Sequence, residues 1–288
     1  MNVKIAAAQY DISFLDNWLA YQQKIERWIT EATLQDAKIL LFPEYFSMEL
    51  ASLFEPEIYG SLSKQLEAIQ SLHDDFIELF KKLAQKYQCI IQAGTFPVRV
   101  EPEIYRNRAY LFMPDGQFDY QDKMMMTRFE NEQWLITAGK ELKCFDTLYG
   151  KIAINICYDS EFPLLARKQV EAGCVIILVP SCTDTIAGYH RVKIGCQARA
   201  LENQCYVVQA SLVGNASWSE AVDVNVGAAA IYTPVDTSFP SNGILSVGLF
   251  NAVQWVIDEI SPLDCKKVRE HGQVFNYRDW PLQTTFIN

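Results

Sequence analysis

The chain has 288 residues, of which 50% are hydrophobic and 21% are charged, a composition that allows a large buried core. Its formal net charge is −10, and such an acidic surface argues against nucleic acid and anionic membranes as partners. The N-terminal sequence lacks the apolar segment of a secretory signal, and no apolar run approaches the roughly 18 residues of a membrane span.

The cysteines and histidines indicate a reduced protein without a metal site. Eight cysteines are scattered through apolar stretches and form no C-x-x-C pair, which is typical of free thiols in a cytoplasm. None of the three histidines has a cysteine or histidine partner at the spacing of a zinc site. We therefore expect a cytoplasmic protein that uses no metal and no other cofactor.

Strand-like and helix-like segments alternate in the first half of the chain. Strands are predicted at residues 3–9, 38–42, 89–93 and 106–113, and residues 117–121 form a further strand-like segment. Apolar residues recur at helical spacing over residues 18–32 and 66–83, and the first of these helices follows the cap candidates Asp16 and Asn17.

The second half of the chain repeats this alternation. Strands are predicted at residues 151–156, 174–179, 205–210, 227–232 and 244–250. Helices are predicted at residues 162–172 and 189–203. In both halves an apolar strand meets a proline and then a polar residue, as "ILLFPE" and "IILVPS". No low-complexity linker divides the chain, so we expect a single α/β domain over residues 1–288, with helices covering its sheets.

Three side chains that can carry chemistry lie just past predicted strands. Glu44 can accept a proton, Lys123 can stabilise an oxyanion, and Cys157 can act as a nucleophile. The backbone N–H of Tyr158, one residue past the sulfur, can be a second oxyanion donor. Each of these residues also has an ordinary structural interpretation, as a solvated turn residue, a solvated lysine or a packed core thiol.

The segments "LLFPEYF", "QDKMMMTRF" and "NICYDSEFP" occur in this order and together resemble the three signatures of the nitrilase superfamily of carbon–nitrogen hydrolases. The resemblance places the family's catalytic glutamate, lysine and cysteine on Glu44, Lys123 and Cys157. The family's second, supporting glutamate falls in "FENEQWLITAG". Counting back from Gly139 favours Glu132 for this position, and Glu130 is the alternative.

The resemblance implies a four-layer α-β-β-α sandwich that forms a homodimer or a higher homo-oligomer. It also implies that Cys157 attacks a small-molecule amide or nitrile and forms a thioester, with Glu44 as base and then acid, and that Glu132 orients Lys123 or the substrate. Because Tyr158 and Asp159 follow the cysteine, the sequence resembles the amidase branches more than the nitrile-cleaving ones.

Six further side chains are candidates for substrate binding, because they lie in or near the signatures or follow a neighbouring strand: Tyr45, Arg128, Asp159, Glu161, Thr183 and His190. Arg128 can pair with a substrate carboxylate, or instead with Glu130 or Glu132. His190 can contact substrate, or instead bond to local backbone at the start of a helix.

Amide hydrolysis of a small molecule is the favoured interpretation of the whole pattern. The alternatives are hydrolysis of a nitrile or an N-carbamoyl compound, acyl transfer to an amine or thiol, and a non-catalytic binding dimer with the same fold. Exchange of the cysteine and differential thiol labelling would distinguish the enzyme from the binding protein.

Overall fold

The computed structural model describes residues 2–286, in which 14 strands are hydrogen-bonded into one sheet. The strands are β1 Val3–Asp11, β2 Ile39–Leu41, β3 Ile90–Gln92, β4 Phe96–Glu101, β5 Ile104–Phe112, β6 Phe118–Asp122, β7 Phe145–Thr147, β8 Gly150–Ile154, β9 Cys174–Ser181, β10 Tyr206–Asn215, β11 Val224–Asn225, β12 Ala230–Tyr232, β13 Ile244–Val247 and β14 Gln254–Ile260.

The helices pack on the sheet and connect its strands. The α-helices are α1 Trp18–Thr33, α2 Pro56–Tyr59, α3 Leu62–Ile69, α4 His73–Tyr87, α5 Arg128–Glu132, α6 Pro163–Glu171, α7 Ile186–Asn203, α8 Pro262–His271 and α9 Asn276–Asp279. Short 3-10 helices cover Phe46–Leu53, Gln70–Leu72, Cys157–Glu161 and Trp280–Phe286. None of the helices within residues 2–286 combines the length and the hydropathy that crossing a bilayer requires.

The sheet consists of two halves that meet at β1 and β10. One half has the order β4-β5-β3-β2-β1, and the other has the order β10-β9-β8-β7. Strands β1 and β10 are parallel, but they pair only at their carboxyl ends, from Gln9 with Ser211 to Asp11 with Val213. Over most of its length β1 pairs instead with β14, in antiparallel register. The two half-sheets are therefore joined only where the carboxyl ends of β1 and β10 pair, and they separate along the rest of these strands.

The apolar side chains form two cores, which define the layers. On β1, Ala6, Ala8 and Tyr10 lie in a core shared with helices α1 and α4. The alternate residues Ile5 and Ala7 point into a second core, which also contains strands β8 to β10 and the inner faces of α6 and α7. The layers therefore follow the order helix, sheet, sheet, helix, and the central strands β2, β3 and β9 are buried on both faces.

Every strand that the sequence predicts overlaps an observed strand, and Asn17 caps α1 by accepting the Ala20 N–H at 2.9 Å. The predicted helix over residues 66–83 is wrong in one respect, because the turn Gln70–Leu72 divides it into α3 and α4. Strands β4, β7 and β14 and helix α8 were not predicted. That residues 1–288 form a single domain stays a prediction.

The carboxyl ends of four strands converge at one end of the sandwich. Glu44 follows β2, Lys123 follows β6, Cys157 follows β8 and Cys182 follows β9. Strands β2, β8 and β9 have parallel neighbours, so residues beyond their ends gather at the same edge. The sandwich thus brings together side chains that lie more than a hundred residues apart along the chain.

Candidate active site

A cavity of about 450 Å³ opens at this end of the sandwich. Glu44, Lys123, Cys157 and Glu130 all line it, although each side chain is at most 4% exposed. Charged groups this deeply buried persist only when they are paired and hydrogen-bonded. Their contacts therefore decide what the cavity can do.

The Lys123 ammonium lies between two carboxylates. Its Nζ is 2.7 Å from Glu44 Oε1, 2.8 Å from Glu130 Oε1 and 2.7 Å from Glu130 Oε2. An ammonium has three N–H donors, so these oxygens occupy all of them. The cluster carries two negative charges against one positive charge, and the excess carboxylate can exchange a proton.

Glu44 receives donors from three different parts of the chain. Besides Lys123, Asn107 Nδ2 donates to its Oε1 at 2.8 Å. The backbone N–H of Cys182 donates to its Oε2 at 3.1 Å. These bonds hold the carboxylate in one orientation at the wall of the cavity.

Cys157 begins a 3-10 helix directly past β8, and its backbone is left-handed, with φ of 47°. This conformation costs on the order of 1–2 kcal/mol for a residue with a Cβ, and such strained residues recur at functional sites. Its Sγ lies 3.6 Å from the carbonyl oxygen of Cys182. The turn presents the sulfur to the cavity while the strand behind it stays in the core.

The short helix α5 holds Glu130 through a capping box. Thr127 Oγ1 accepts the Glu130 N–H at 3.3 Å, and the Thr127 N–H donates to Glu130 Oε2 at 2.8 Å. The Tyr45 hydroxyl donates to Glu130 Oε1 at 2.5 Å. Tyr45, a candidate substrate contact, therefore lines the cavity and also fixes this carboxylate.

The expected supporting glutamate, Glu132, is wrong, and Glu130 occupies its place beside Lys123. The side chain of Glu132 is 52% exposed and binds Arg128 at 2.8 Å, one helical turn away. Two residues of a helix that are separated by two positions point to nearly opposite sides, so only one of these glutamates can face the core. The T-x-x-E pattern of residues 127–130 is typical of a capping box and indicates Glu130, whereas counting back from Gly139 does not take this pattern into account.

Burial and neighbouring charges move the pKa values of the cluster apart. Burial raises the pKa of Glu44, and the opposing charge of Lys123 does not cancel this effect. Burial acts the same way on Glu130, but Lys123 and the bonds from Tyr45 and Thr127 outweigh it and lower that pKa. Glu44 is thus the carboxylate that can exchange a proton, while Glu130 stays ionised.

The lysine and the cysteine are each held in one protonation state. Burial alone would lower the pKa of Lys123, but the charges of Glu130 and Glu44 raise it well above its ordinary value. Burial, reinforced by the Glu44 carboxylate, raises the pKa of the Cys157 thiol well above its ordinary value. At neutral pH the site therefore contains an ammonium and a thiol, not a resting thiolate.

Four of the other candidate residues also line the cavity. These are Arg128, Tyr158, Glu161 and Thr183. Arg128 is already paired with Glu132, and Thr183 Oγ1 donates to the carbonyl oxygen of Val226 at 2.7 Å. Glu161 Oε1 lies 3.6 Å from Nε of Arg191, a cavity residue that the sequence patterns did not predict.

Asp159 and His190 do not line the cavity, in contrast to the expectation that they contact substrate there. Asp159 is buried, and its carboxylate accepts the backbone N–H of Met125 at 2.7 Å and of Ile156 at 3.1 Å. It therefore ties the loop after Lys123 to the residue before Cys157. His190 lies on the exposed side of α7, because residues 188, 191 and 192 of that helix face the cavity instead.

Asn107 and Cys182 belong to the site but were not predicted. In the repeated strand–proline–polar pattern Ser181 corresponds to Glu44, and Cys182 is the next residue, so the pattern indicates this end of β9 but not Cys182 itself. Asn107 lies inside β5 and is 0% exposed, and nothing in the local pattern distinguishes it from other strand residues. Its role becomes visible only once the strands are assembled.

Known proteins resemble this chain over most of its length. The family model for carbon–nitrogen hydrolases matches residues 4–239. The probable hydrolase YhcX of Bacillus subtilis is 36% identical over 96% of this chain, which spans 53% of the length of YhcX. The omega-amidase NIT3 of Saccharomyces cerevisiae is 27% identical over 74% of this chain and 75% of its own length.

The fold has a close counterpart among solved structures. The crystal structure of Saccharomyces cerevisiae Nit3, a member of branch 10 of the nitrilase superfamily, superposes with a TM-score of 0.73 at 23% identity and covers 93% of each chain. This similarity confirms the predicted α/β sandwich of that superfamily. The family model and the similarity to YhcX together establish that the chain belongs to the carbon–nitrogen hydrolase family.

Proposed function

We propose that this protein hydrolyses an amide bond of a small molecule through a thioester on Cys157. The observation that carries the proposal is the Lys123 ammonium, which binds Glu44 and Glu130 beside a buried thiol at one cavity. The cavity volume of about 450 Å³ suits a small molecule. These groups match the needs of acyl transfer, namely a nucleophile, a proton acceptor and donors for an oxyanion.

In the first step, Cys157 Sγ attacks the carbonyl carbon and a carbon–sulfur bond forms. The thiol proton passes to Glu44, and the carbonyl electrons move onto oxygen. Because the raised pKa of Cys157 keeps its proton in place at rest, proton transfer accompanies bond formation. The raised pKa of Glu44 makes that carboxylate the better acceptor of the two.

The developing oxyanion needs donors that are already oriented. The backbone N–H of Tyr158 lies at the start of the 3-10 helix, where the first N–H groups of a helix lack intrahelical partners. Lys123 supplies the second donor by releasing one N–H from a carboxylate oxygen. Removing one such donor typically costs about 100- to 1,000-fold in rate.

The tetrahedral intermediate then collapses with cleavage of the carbon–nitrogen bond. Glu44 returns its proton to the nitrogen, and ammonia or an amine leaves. Water next attacks the thioester and gives a proton to Glu44. The carbon–sulfur bond breaks, and Glu44 returns this proton to Cys157 Sγ. The products are a carboxylic acid and the regenerated thiol, and Glu130 keeps Lys123 charged throughout.

Two observations favour an amide over a nitrile as substrate. The sequence after the nucleophile, Tyr158 and Asp159, resembles the amidase branches. The relative NIT3 is an omega-amidase.

Mass spectrometry of the intact protein tests the proposal. We expect a panel of primary amides of small carboxylic acids to yield an acyl adduct on Cys157 together with released ammonia. Cys157→Ala should give neither, whereas Cys89→Ala, which removes a buried thiol away from the cavity, should behave like the wild type.

Two outcomes would contradict the proposal. The first is the absence of an adduct with every amide, together with equal iodoacetamide labelling of Cys157 and the other thiols. The second is faster adduct formation with a nitrile or an N-carbamoyl compound than with any amide, which would replace the amide as substrate.

A further inference from the structure

Asn107 touches every charged member of the cluster. Its side chain is 0% exposed, and its Nδ2 lies 2.8 Å from Glu44 Oε1 and 3.4 Å from Glu130 Oε1. Its backbone carbonyl accepts the N–H of Lys123 at 2.9 Å. One strand residue therefore sets the positions of both carboxylates and of the lysine backbone.

The amide of Asn107 can have only one orientation here. Both carboxylate oxygens that it faces are acceptors, so a rotated amide would direct Oδ1 against two negatively charged oxygens. In the observed orientation Oδ1 has no partner among the described residues. The carboxylates alone therefore fix the amide, and its N–H groups are constant donors to them.

Counting donors on Glu44 shows which of its oxygens can take a proton. Oε1 accepts from Lys123 Nζ at 2.7 Å and from Asn107 Nδ2 at 2.8 Å. A carboxylate oxygen has about two acceptor sites, so Oε1 is saturated. Oε2 accepts the Cys182 N–H at 3.1 Å and keeps one site open.

We propose that Asn107 is a positioning residue that saturates Oε1 of Glu44, keeps this carboxylate ionised at rest and directs the thiol proton of Cys157 to Oε2. The inference rests on the proposed function, because it assigns the atom that carries the proton in that reaction. Asn107 itself is not among the residues that line the cavity, so it acts through Glu44. Without its donor, Glu44 would hold a proton at a higher pH and Oε1 would compete for the thiol proton.

Asn107→Leu tests the inference, since leucine has a similar size but no donor. We expect the acidic limb of the kcat/KM profile to move about one pH unit upward and kcat to fall about 10- to 100-fold, with KM within about threefold of the wild type. Asn107→Ala should move the acidic limb in the same direction. Asn203→Leu is the matched control, because Asn203 is also 0% exposed but lies at the far end of α7.

The pH dependence of Cys157 alkylation by iodoacetamide separates this inference from the proposed function. Alkylation requires the same transfer of the thiol proton to Glu44 but no amide substrate. The acidic limb of its pH profile should therefore shift upward together with that of hydrolysis. A shifted alkylation profile in a protein that hydrolyses no amide would sustain the role of Asn107 while overturning the proposed function. Active variants with an unmoved acidic limb would overturn the inference alone.

Stability measurements complete the test. If both Asn107 variants fail to fold while Asn203→Leu folds, Asn107 is a structural residue and the inference is overturned. If the variants have a lower melting temperature than the wild type but the same pH profile, the inference is also overturned. A moved acidic limb in a folded variant, absent from Asn203→Leu, supports the inference.

Discussion

Two buried lysines of the described chain, Lys24 and Lys123, bind carboxylates in very different settings. Lys24 Nζ donates to Glu49 Oε1 and to Ser13 Oγ, and Glu49 also accepts the Tyr10 hydroxyl at 2.6 Å. Neither Lys24 nor Glu49 lines the cavity, whereas Lys123 and both of its carboxylates do. Burial raises the pKa of Glu49 as it does that of Glu44, so a shifted pKa alone does not distinguish the two sites.

What distinguishes them is charge balance and access. In the first site one ammonium faces one buried carboxylate, that of Glu49, and the surrounding donors satisfy it. The second carboxylate near Lys24, that of Asp11 at 3.9 Å, is 40% exposed and therefore solvated. In the second site one ammonium faces two carboxylates, and a thiol and a cavity lie beside them. A buried ion pair is therefore a candidate for chemistry when it has an excess of proton acceptors and a path to substrate.

The largest expected difference between the two sites is in catalysis. Replacing Lys123 with methionine should lower kcat/KM at least about 1,000-fold, because it removes an oxyanion donor and leaves two carboxylates to repel each other. Steady-state hydrolysis of an amide that acylates the wild type would measure this. Folded Lys24→Met should stay within about threefold of the wild type, and an equal loss in both variants would refute the distinction.

The next effect is on stability. Lys24→Met should lower the free energy of unfolding by about 3–5 kcal/mol, because it leaves the Glu49 carboxylate buried without its cation. Denaturant unfolding followed by circular dichroism would measure the loss. The double variant Lys24→Met/Glu49→Gln should recover part of it, and no recovery would show that the charge of Glu49 is not the cause.

A smaller effect separates two neighbouring glutamates within the second site. Glu130→Gln should lower kcat about 100-fold, because the Lys123 ammonium loses the carboxylate that holds it in place. Glu132→Gln should leave kcat unchanged and alter stability by less than about 0.5 kcal/mol, because its side chain is exposed. Equal kcat values in the two variants would contradict the assignment of Glu130.

The smallest effect concerns pH and Asp159, which joins the loops of Lys123 and Cys157. Burial raises the pKa of Asp159 to about 7 in the folded state, above its usual range near 4 in an unfolded chain. Between these values the folded protein binds more protons than the unfolded one, so this carboxyl makes stability fall as pH rises, by at most about 1.4 kcal/mol per pH unit.

Unfolding of the wild type and of Asp159→Asn at pH 5 and pH 8 would measure this contribution. The wild type should lose stability relative to the variant as the pH rises. A difference between the two proteins that is the same at both pH values would show that Asp159 keeps an ordinary pKa when folded.

Much of this fold could be predicted because its inner strands are buried on both faces and appear as continuous apolar runs. The same feature places Glu44 and Cys157, since each follows such a run, whereas Lys123 follows the more polar, partly exposed strand β6. Asn107 could not be found in this way, because it lies within a strand and acquires its role only from neighbours far along the chain. Residue pairs in assembled sheets depend on register, which no local pattern records.

The errors within the site concern which face of a helix a residue occupies. Glu130 and Glu132 differ by two positions in a helix of five residues, too short for an apolar period to orient it. His190 lies at a helix start whose neighbours reach the cavity while it does not. In both cases the capping residue, Thr127 or Thr185, fixes the helix and so decides which side chain points inward.

Strand β14 pairs with β1 from Val3–Ile260 to Gln9–Gln254. The first strand therefore forms this pairing with a strand that is synthesised some 250 residues later. During synthesis, the exposed N–H and C=O groups of β1 on this side stay without their final partner until residue 260 has emerged. Such long-range closure slows folding and leaves a pairing-competent edge open on the nascent chain. A chaperone that shields this edge on the ribosome would therefore act on the step that completes the sandwich.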